Sequence, residues 1–562
     1  MRDEAVFKML LRLCPLFFFL FFSFVMPFSL RERLAQSIMP RLAEEEYFTN
    51  ENVRKSLHTL IREEGIGGVC VFGGDALKTA QMLTELQHVA ARSFRPPLLV
   101  SADFEHGVAM RLTGGTAFPH AMALGSADDV AMTERVAHAI ALEAKAIGVH
   151  WNFAPVGDVN CNPSNPIINI RSFGETPDLA ARHVSAYIRG TQRAHILASV
   201  KHFPGHGDTA TDSHLALPSL PFERTRLEHL EFIPFRAAVA EGVRSVMVGH
   251  LAVPSLDDSG KPASLSEQVM TRCLREELGF TGIIVTDALD MHAITRNFSN
   301  EAASVGAYRS GADVVLLPPN PLAALDALEQ AVLRGEITET KVNASARAVL
   351  EAKQWCELLK LPAEWTFETL EKEAIERIRR RAEDVPQISK QDQSLLALDA
   401  MKNALRWFGE RDELQPLLKF TQIAGFALLP DVETVQGNLS VSAATNFFRY
   451  LGQNYPKDCD FAFIDENISN DELSELILAT HEAEAIVFAI FVRPVAEQGS
   501  ISLSERFHEI ARMLAGEKPS VAVLFGNPYL RETFPANAYL CAFSHSEPAL
   551  GAAAFELVQR KE

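Results

Sequence analysis

Paired cysteines are missing from this sequence. Its seven cysteines are Cys14, Cys70, Cys161, Cys273, Cys356, Cys459 and Cys541. No two of them form a Cys-x-x-Cys motif, which excludes the ligand spacing of a zinc ribbon and a dense disulfide framework. We therefore interpret most of them as small residues of a hydrophobic core, where free cysteine is common.

Positive charge is also scarce. The chain of 562 residues has 53 lysines and arginines against 72 aspartates and glutamates, which gives a net charge of −19. An acidic surface repels phosphate backbones, so we do not expect a nucleic acid as a partner. Neutral or small substrates fit this charge better.

Long hydrophobic runs are absent apart from one, LCPLFFFLFFSFVMPFSL at Leu13–Leu30, which follows three basic residues. Such a run is typical of a secretory signal or a short membrane anchor. No small-x-small cleavage site follows it, and Cys14 lies before the apolar residues rather than after them, unlike a lipoprotein cysteine. We predict that residues 1–30 are a signal sequence or membrane anchor and that the protein is exported, periplasmic or membrane-anchored. A cytoplasmic location is the alternative.

What the sequence does contain, between about residues 36 and 360, is a regular alternation of short apolar runs with charged helical stretches. The runs are VCVFGG (69–74), PLLVSADF (97–104), HWNFAPVGDV (150–159), ASVKHFPG (198–205), SVMVGHL (245–251), GIIVTDAL (282–289) and DVVLLPP (313–319). Repetition of strand and helix indicates a parallel sheet, and this many units favour a closed barrel. The pattern predicts an α/β fold with a (β/α)8 TIM-type barrel over residues 36–365.

A second domain is predicted after the barrel. The charged stretch 368–393 favours a solvated helix, and we assign residues 366–394 to a helical linker. Apolar runs then alternate with helices again, at 423–429, 485–492, 520–527 and 538–543. Residues 395–562 are therefore predicted to form a smaller α/β sandwich domain.

Polar side chains recur at the carboxyl ends of the predicted barrel strands. They are Asp103, Asp158, Lys201, His202, His250 and Asp287. In a barrel these strand ends converge on one face, where active sites are built. A scatter of polar residues that only satisfy the core would not choose that end each time.

The segment KHFPGHGDTATDSH, residues 201–214, has the highest density of titratable side chains. His202 and His206 have the i, i+4 spacing of a helical zinc pair, but the proline and two glycines around them would break that helix. We therefore favour proton transfer over metal binding, and the sequence predicts no metal and no cofactor. A carboxylate two residues from an imidazole, as in Asp212 and His214, raises the imidazole pKa and fixes its tautomer.

Asp287 is a carboxylate at the end of a predicted strand, and it could act together with the acid/base pair Asp212 and His214. A fixed carboxylate and a separate acid/base are what retaining glycoside hydrolysis requires, since one attacks the anomeric carbon while the other protonates the leaving oxygen. Lys201, His202, Asp103 and Arg111 could hold sugar hydroxyls through charge-assisted hydrogen bonds.

From about residue 50 to 360 the sequence resembles the family 3 glycoside hydrolases, in particular the bacterial β-N-acetylglucosaminidase (β-N-acetylhexosaminidase) branch. The matching stretches are KHFPGHGDTATDSH, FAPVGDVNCNPSNPIINIRSFG, FPHAMALG, HLAVPSLD with PASLS, and LREELGFTGIIVTDALDM. The region after about residue 395 is similar to the second α/β domain of that family, less sharply.

The resemblance implies roles for individual residues. Asp287 would be the nucleophile that forms a glycosyl-enzyme intermediate, and His214, supported by Asp212, would be the acid/base. The residues implied to bind the terminal sugar are Asp103, Arg111, Arg171, Lys201 and His202. The implied substrate is a small saccharide or muropeptide with a terminal β-GlcNAc, from peptidoglycan turnover or recycling.

Two departures from the family pattern are visible. His106 stands where the family's Asp-x-Glu-Gly-Gly motif has glycine, and Ala288 follows the expected nucleophile where a polar residue is usual. Two alternatives stay open: a family 3 enzyme with another sugar preference, and a catalytically silent sugar-binding protein. The aglycone, the oligomeric state and the choice between water and phosphate as acceptor also stay open.

Overall fold

The computed structural model of the protein describes residues 28–211, 216–361, 367, 376–377, 390–430, 439–455, 457–494 and 501–559. The apolar segment therefore lies largely outside the described residues, but its last three residues are folded. Phe28 is buried with Leu359 and Leu361, and Ser29 caps the first helix. No helix in these described ranges is long and apolar enough to cross a membrane.

The first part of the chain is a parallel barrel. Its strands are β1 (Ile38–Met39), β2 (Arg41–Leu42), β3 (Gly68–Val71), β4 (Gly74–Asp75), β5 (Leu99–Ala102), β6 (Leu112–Thr113), β7 (Trp151–Asn152), β8 (Leu197–Phe203), β9 (Ser245–Val248), β10 (Ile283–Thr286) and β11 (Val315–Leu316). The main sheet has the order β10-β9-β8-β7-β5-β3-β2, and β4 pairs separately with β6.

The ring closes through the first strand. β1 and β2 are separated by Pro40, which has no N–H to donate, and β1 pairs in parallel with β11. A parallel bridge between Val285 and Val314 joins the β11 side to β10. Counting β1 and β2 as one strand, eight parallel strands surround the core, which confirms the predicted TIM-type barrel.

Helices cover the outside of the barrel. They are α1 (Leu30–Ala35), α2 (Glu44–Thr49), α3 (Glu51–Thr59), α4 (Ala76–Arg92), α5 (Ala121–Ala127), α6 (Val130–Ile147), α7 (Pro177–Arg193), α8 (Arg224–His229), α9 (Phe232–Ala240), α10 (His292–Thr295), α11 (Asn300–Ser310), α12 (Pro321–Leu333) and α13 (Glu339–Trp355). Wider π-type turns at Leu60–Glu64 and Gln268–Glu277 fill two further positions of the ring. Each barrel strand longer than two residues is fully buried, as expected for strands packed on both faces.

Between the domains the structure differs from the predicted linker helix. β12 (Leu359–Lys360) pairs antiparallel with β13 (Glu376–Arg377), so residues 376–377 are extended rather than helical. Helix α14 (Lys390–Ala404) begins only near the end of the stretch assigned to the linker. Most of that stretch lies outside the described residues.

The second domain is built on a six-stranded sheet. Its strands are β14 (Arg406–Gly409), β15 (Gln422–Leu428), β16 (Asp458–Ile464), β17 (Ala485–Ile490), β18 (Ser520–Leu524) and β19 (Ala538–Cys541), in the order β14-β19-β18-β17-β15-β16. Only β14 runs antiparallel to its neighbour in this sheet. The remaining helices are α15 (Arg411–Leu414), α16 (Leu439–Asn454), α17 (Asn470–Ala479), α18 (Glu505–Ala515) and α19 (Glu547–Val558).

The connections of this sheet run in two directions. The chain moves from β15 outward to β16 and then returns past β15 to β17, β18 and β19. Because parallel crossovers are right-handed, helices on connections of opposite direction cover opposite faces. The sheet is therefore sandwiched between helices, which confirms the predicted smaller α/β domain.

Polar and apolar contacts join the two domains. Met122, Ala123 and Ile170 of the barrel pack into the hydrophobic core of the second domain. The Tyr529 hydroxyl donates to Glu175 at 2.6 Å. This junction brings the carboxyl edge of the second sheet against loops at the carboxyl end of the barrel.

Candidate active site

Lys201 is the centre of an ion-pair cluster at the carboxyl end of the barrel. It lies in β8, and only 3% of its side chain is exposed. Its Nζ is 2.8 Å from Asp103 Oδ1 and 2.7 Å from Glu105 Oε1. Asp103 and Glu105 follow directly after β5, so two strand ends supply the three charges.

Two arginines complete the cluster. Arg111 donates to the second oxygen of Asp103 at 2.8 Å. Arg171 contacts both oxygens of Glu105, at 3.0 Å from Nε and 2.8 Å from Nη2, in the bidentate geometry that suits a guanidinium. Three cations therefore surround two carboxylates.

The charges of this cluster stabilise one another. Burial alone would raise the pKa of Asp103, but Lys201 and Arg111 outweigh it and hold this pKa at about 2. The pKa of Glu105 lies well below its usual value because Arg171 and Lys201 outweigh the effect of burial. Burial would lower the pKa of Lys201, yet the two carboxylates raise it. All three groups are charged at neutral pH and present fixed acceptors and donors to a polar ligand.

Asp158 fixes the neighbouring histidines. This fully buried carboxylate accepts from His202 Nδ1 at 2.8 Å and from the backbone N–H of His202 and His206, at 3.2 and 2.7 Å. With Nδ1 donating to Asp158, the other nitrogen of His202 is the one available to a ligand. His206 instead contacts Thr209 through Nδ1 at 2.6 Å and lies inside the loop.

Asp287 follows β10 at the same end of the barrel. Its backbone N–H donates to the carbonyl of Val248 at 2.9 Å, and its Oδ1 accepts from the N–H of Ala288 at 2.8 Å. His250, at the end of β9, donates through Nε2 to the carbonyl of Ala288 at 2.8 Å. The peptide that follows the expected nucleophile is thus held by a neighbouring strand.

The predicted acid/base pair belongs to the segment that begins at Lys201. Asp212 and His214 lie outside the described residues. The described part of their segment, up to residue 211, starts at the Lys201 cluster and passes the His202–Asp158 contact.

A group of three histidines lies beside the Lys201 cluster, between the domains. The rings of His106 and His120 stack with centroids 4.0 Å apart, and His545 is 5.3 Å from His120. His120 Nδ1 also contacts Ser544 Oγ at 2.9 Å. Burial, together with the nearby cation of Arg493, lowers the pKa of His106 to about 4 and holds the pKa values of His120 and His545 well below their usual value. All three imidazoles are neutral at physiological pH.

One group of potential metal ligands occurs in the described ranges, consisting of Cys161, Asp208 and Glu231. The Nη2 atom of Arg226 lies 2.8 Å from Asp208, 3.1 Å from Glu231 and 3.6 Å from Cys161 Sγ. Burial raises the pKa of the Cys161 thiol to about 12. A guanidinium thus takes the place that a metal ion would need, and the thiol is not a ready ligand.

The structure therefore groups most of the predicted sugar-binding residues. Asp103, Arg111, Arg171 and Lys201 form one cluster through Glu105, and the backbone of His202 continues from Lys201. Glu105 was not among the predicted site residues, although its position two residues beyond Asp103 after a strand was a usable signal. Arg493 and His545 had no such signal, because they lie in the second domain, which brings them beside the barrel. His120 belongs to the barrel and lies in the matching stretch FPHAMALG.

The chain is similar to known proteins in sequence and in fold. The model of the glycosyl hydrolase family 3 N terminal domain matches residues 29–352. A β-hexosaminidase A from Pseudoalteromonas piscicida is 36% identical over 283 residues, which are 47% of this chain and 47% of that protein. A β-N-acetylglucosaminidase/β-glucosidase from Cellulomonas fimi is 30% identical over 52% of this chain and 53% of its own length. The chain thus spans about half the length of these two relatives.

A β-hexosaminidase from Methylococcus capsulatus is 33% identical over 47% of this chain and 78% of its own length. Among solved structures, a glycoside hydrolase family 3 β-N-acetylglucosaminidase from a Paenibacillus species matches 94% of this chain and 96% of its own. The TM-score is 0.79 at 29% identity. A β-glucoside phosphorylase also matches, with a TM-score of 0.80 at 21% identity, which shows a shared fold alone.

Proposed function

The chain belongs to glycosyl hydrolase family 3, and on that premise we propose that it is a retaining, exo-acting β-N-acetylglucosaminidase. It removes terminal non-reducing β-GlcNAc through a covalent glycosyl-aspartate intermediate. The observation that carries the proposal is that Asp287 and the Asp103–Glu105–Lys201 cluster both lie at the carboxyl end of one barrel.

The charged cluster supports binding of a neutral sugar. Sugar hydroxyls both donate and accept hydrogen bonds, and the cluster offers ionised carboxylate oxygens beside ammonium and guanidinium donors. Because every charge of the cluster is already paired with one of opposite sign, a neutral ligand can bind without adding an unpaired charge to a buried site. Charge-assisted hydrogen bonds to the hydroxyls would orient the ring over Asp287.

Asp287 is suited to attack the anomeric carbon. Its carboxylate lies on a rigid strand end, and the N–H of Ala288 holds one of its oxygens. Nucleophilic attack by the other oxygen would form the glycosyl-aspartate bond while the leaving oxygen takes a proton. In this proposal His214 donates that proton and later removes one from water, and Asp212 tunes the imidazole.

The source of the substrate follows from the family branch and the N-terminal segment. We propose muropeptides and other peptidoglycan fragments as natural substrates, and export or membrane anchoring through residues 1–30. β-Hexosaminidases among the relatives and a β-N-acetylglucosaminidase among the solved structures favour GlcNAc over glucose.

The experiment that tests this function combines trapping with two variants. A 2-fluoro analogue of GlcNAc with a good leaving group should label Asp287, located by mass spectrometry of peptides. Asp287→Ala should lose nearly all turnover of aryl β-GlcNAc, whereas Asp290→Ala, an exposed carboxylate three residues away, should retain it. Labelling at Asp290, or preferred turnover of aryl β-glucoside, would contradict the proposal.

The acid/base is tested by the leaving group. A good leaving group such as dinitrophenolate departs without a proton, so His214→Ala should keep much of its glycosylation rate on that substrate and lose it on natural saccharides. Asp212→Asn should give a milder loss and a shifted pH profile. An equal loss on activated and natural substrates would show that His214 is not the proton donor.

A further inference from the structure

Arg493 lies at a particular point of the second sheet. The chain leaves β15 toward β16 on one side and leaves β17 toward β18 on the other, so the connections diverge between β15 and β17. In open α/β sheets ligands bind outside the carboxyl ends of the strands at such a switch point. Arg493 follows the end of β17, and therefore stands at the position where this topology places a ligand.

The same sheet edge faces the candidate active site. Asn527, after β18, donates its N–H to the carbonyl of Val492 at 2.7 Å, and its side chain accepts from Asn169 of the barrel at 3.3 Å. After β19, Ser544 contacts His120, whose ring stacks on His106. Asn169 is close in sequence to Arg171, and His106 follows Glu105. Arg493 therefore lies across the domain junction from the proposed sugar-binding cluster.

The charge of Arg493 has no counterpart in the described part of the chain. No carboxylate among those residues forms an ion pair with it, and burial lowers its pKa. The arginines of the barrel cluster differ in this respect, since Arg111 pairs with Asp103 and Arg171 with Glu105. A partly buried cation that no described carboxylate pairs with costs free energy, which a bound anion would offset.

The histidines around Arg493 add donors but no opposing charge. His106 and His545 each have a buried Nδ1 with no hydrogen-bond partner. Both rings lie near enough to Arg493 for its charge to lower their pKa values. A neutral imidazole can donate one hydrogen bond, so either ring could donate to an anion bound beside Arg493. His106 stands at the position where the family's usual motif has glycine, so this possible donor is a departure from that motif.

We propose that Arg493, with His106 and His545, forms a subsite for an oxyanion, a carboxylate or a phosphate, on the leaving-group side of the sugar. This inference rests on the proposed function, because a terminal β-GlcNAc is itself neutral and the anion must come from elsewhere. One source is a carboxylate on the next sugar of the substrate. The other is inorganic phosphate acting as acceptor in place of water.

If phosphate is the acceptor, transfer of the sugar from Asp287 needs no reagent other than phosphate itself. An unprotonated phosphate oxygen forms the bond to the anomeric carbon while the bond to Asp287 breaks, which releases the Asp287 carboxylate and a glycosyl phosphate. In the carboxylate case Arg493 takes no part in bond making and acts on substrate selection alone.

The first experiment compares two substrates that share the bond to be cleaved. In β-GlcNAc-(1→4)-N-acetylmuramic acid the leaving sugar bears a carboxylate, and in N,N′-diacetylchitobiose it is neutral. Arg493→Ala should lower the ratio of kcat/KM for the acidic over the neutral substrate about 10- to 100-fold, the range of a charge-assisted contact. Arg493→Lys should lower it less, and Arg512→Ala, an exposed arginine of α18 paired with Glu505, should not change it.

The second experiment needs no turnover. Inorganic phosphate should raise the Tm of the native protein and raise that of Arg493→Ala much less. Loss of glycosyl phosphate formation in Arg493→Ala, with the acidic-to-neutral ratio unchanged, would assign the site to phosphate, and the reverse result would assign it to the carboxylate.

The outcomes separate this inference from the proposed function. Failure of the native protein to cleave either substrate would refute β-GlcNAc hydrolysis, while the phosphate-induced shift in Tm would still decide the role of Arg493. An unchanged substrate ratio together with equal phosphate shifts in the native protein and Arg493→Ala would overturn the subsite. So would a clear fall in Tm for Arg493→Met without anion, because it would show that the cation already has a stabilising partner.

Discussion

Replacing Lys201 with methionine should show how much the charged cluster at the carboxyl end of the barrel contributes to the stability of the protein. The substitution keeps most of the volume of the side chain and removes its charge. Asp103 and Glu105 would each lose a contact of under 3 Å and remain buried. Both carboxylates would then depend on their arginines alone.

The size of the effect follows from those contacts. Removing one partner of a buried ion pair costs about 3–5 kcal/mol when the other charge is left uncompensated. Here Arg111 and Arg171 remain, so we expect a loss near the lower end, about 3 kcal/mol of unfolding free energy. The lowering of the Asp103 pKa from 3.8 to about 2 corresponds to about 2 kcal/mol, which is consistent with this value.

The pH dependence gives a sharper test. A carboxylate with a lowered pKa in the folded state adds stability that is complete above its unfolded pKa and is lost as the pH falls toward the folded value. In the native protein the Asp103 contribution should therefore persist down to about pH 4. In Lys201→Met, burial raises the pKa of Asp103, so its carboxylate takes up a proton at a higher pH than in the native protein.

Urea unfolding from pH 7 to pH 4 measures this difference, with Lys78→Met, an exposed lysine of α4, as the matched control. The difference in unfolding free energy between the native protein and Lys201→Met should be largest at pH 7 and should become smaller below about pH 5. A gap of less than about 1 kcal/mol at pH 7, or one that stays constant over the whole range, would refute the reasoning.

Two further predictions concern the histidines and metals. The stability of the protein should fall as the pH drops from about 6.5 toward 4, because the unfolded chain binds protons that the buried imidazoles of His106, His120 and His545 do not. Thermal unfolding at several pH values should show a shallower fall for His120→Phe than for His88→Phe, an exposed control; equal slopes would contradict this. Dialysis against a chelator should leave turnover unchanged, because Arg226 occupies the group of Cys161, Asp208 and Glu231. Loss of activity that zinc restores would reopen the metal interpretation.

The sequence predicted the barrel and much of the site because both depend on local patterns. Each apolar run gives a strand, and the residue that ends the run lies at the carboxyl end of the barrel, as with Asp103 and Asp287. The ion-pair partners of these residues are harder to predict from the sequence. Arg111 and Arg171 were expected to contact the sugar, and the structure shows each paired with a carboxylate, which no periodicity reveals.

Residues at the domain junction are harder still to predict, because their neighbours come from segments far away in the sequence. Arg493 looks unremarkable in the sequence, since arginine is mostly exposed in folded proteins. Its position opposite the barrel loops, with no ion pair to the described carboxylates, becomes visible only when the second domain is packed against the barrel. The predicted linker helix fails at residues 376–377 for the same reason. These residues pair with β12, although the charged sequence around them favours a helix.

The junction also explains how substrate choice could change without altering the bond-breaking step. Asp287 and the Lys201 cluster lie on barrel strands, whereas Arg493 and His545 follow strands of the second sheet. Contacts such as Asn169 with Asn527 and His120 with Ser544 hold the two sets at a fixed separation. Rigid supporting contacts of this kind preorganise a site built from two domains. A substitution on the second sheet edge could therefore alter recognition of the proposed anion while Asp287, the proposed nucleophile, and its strand remain in place.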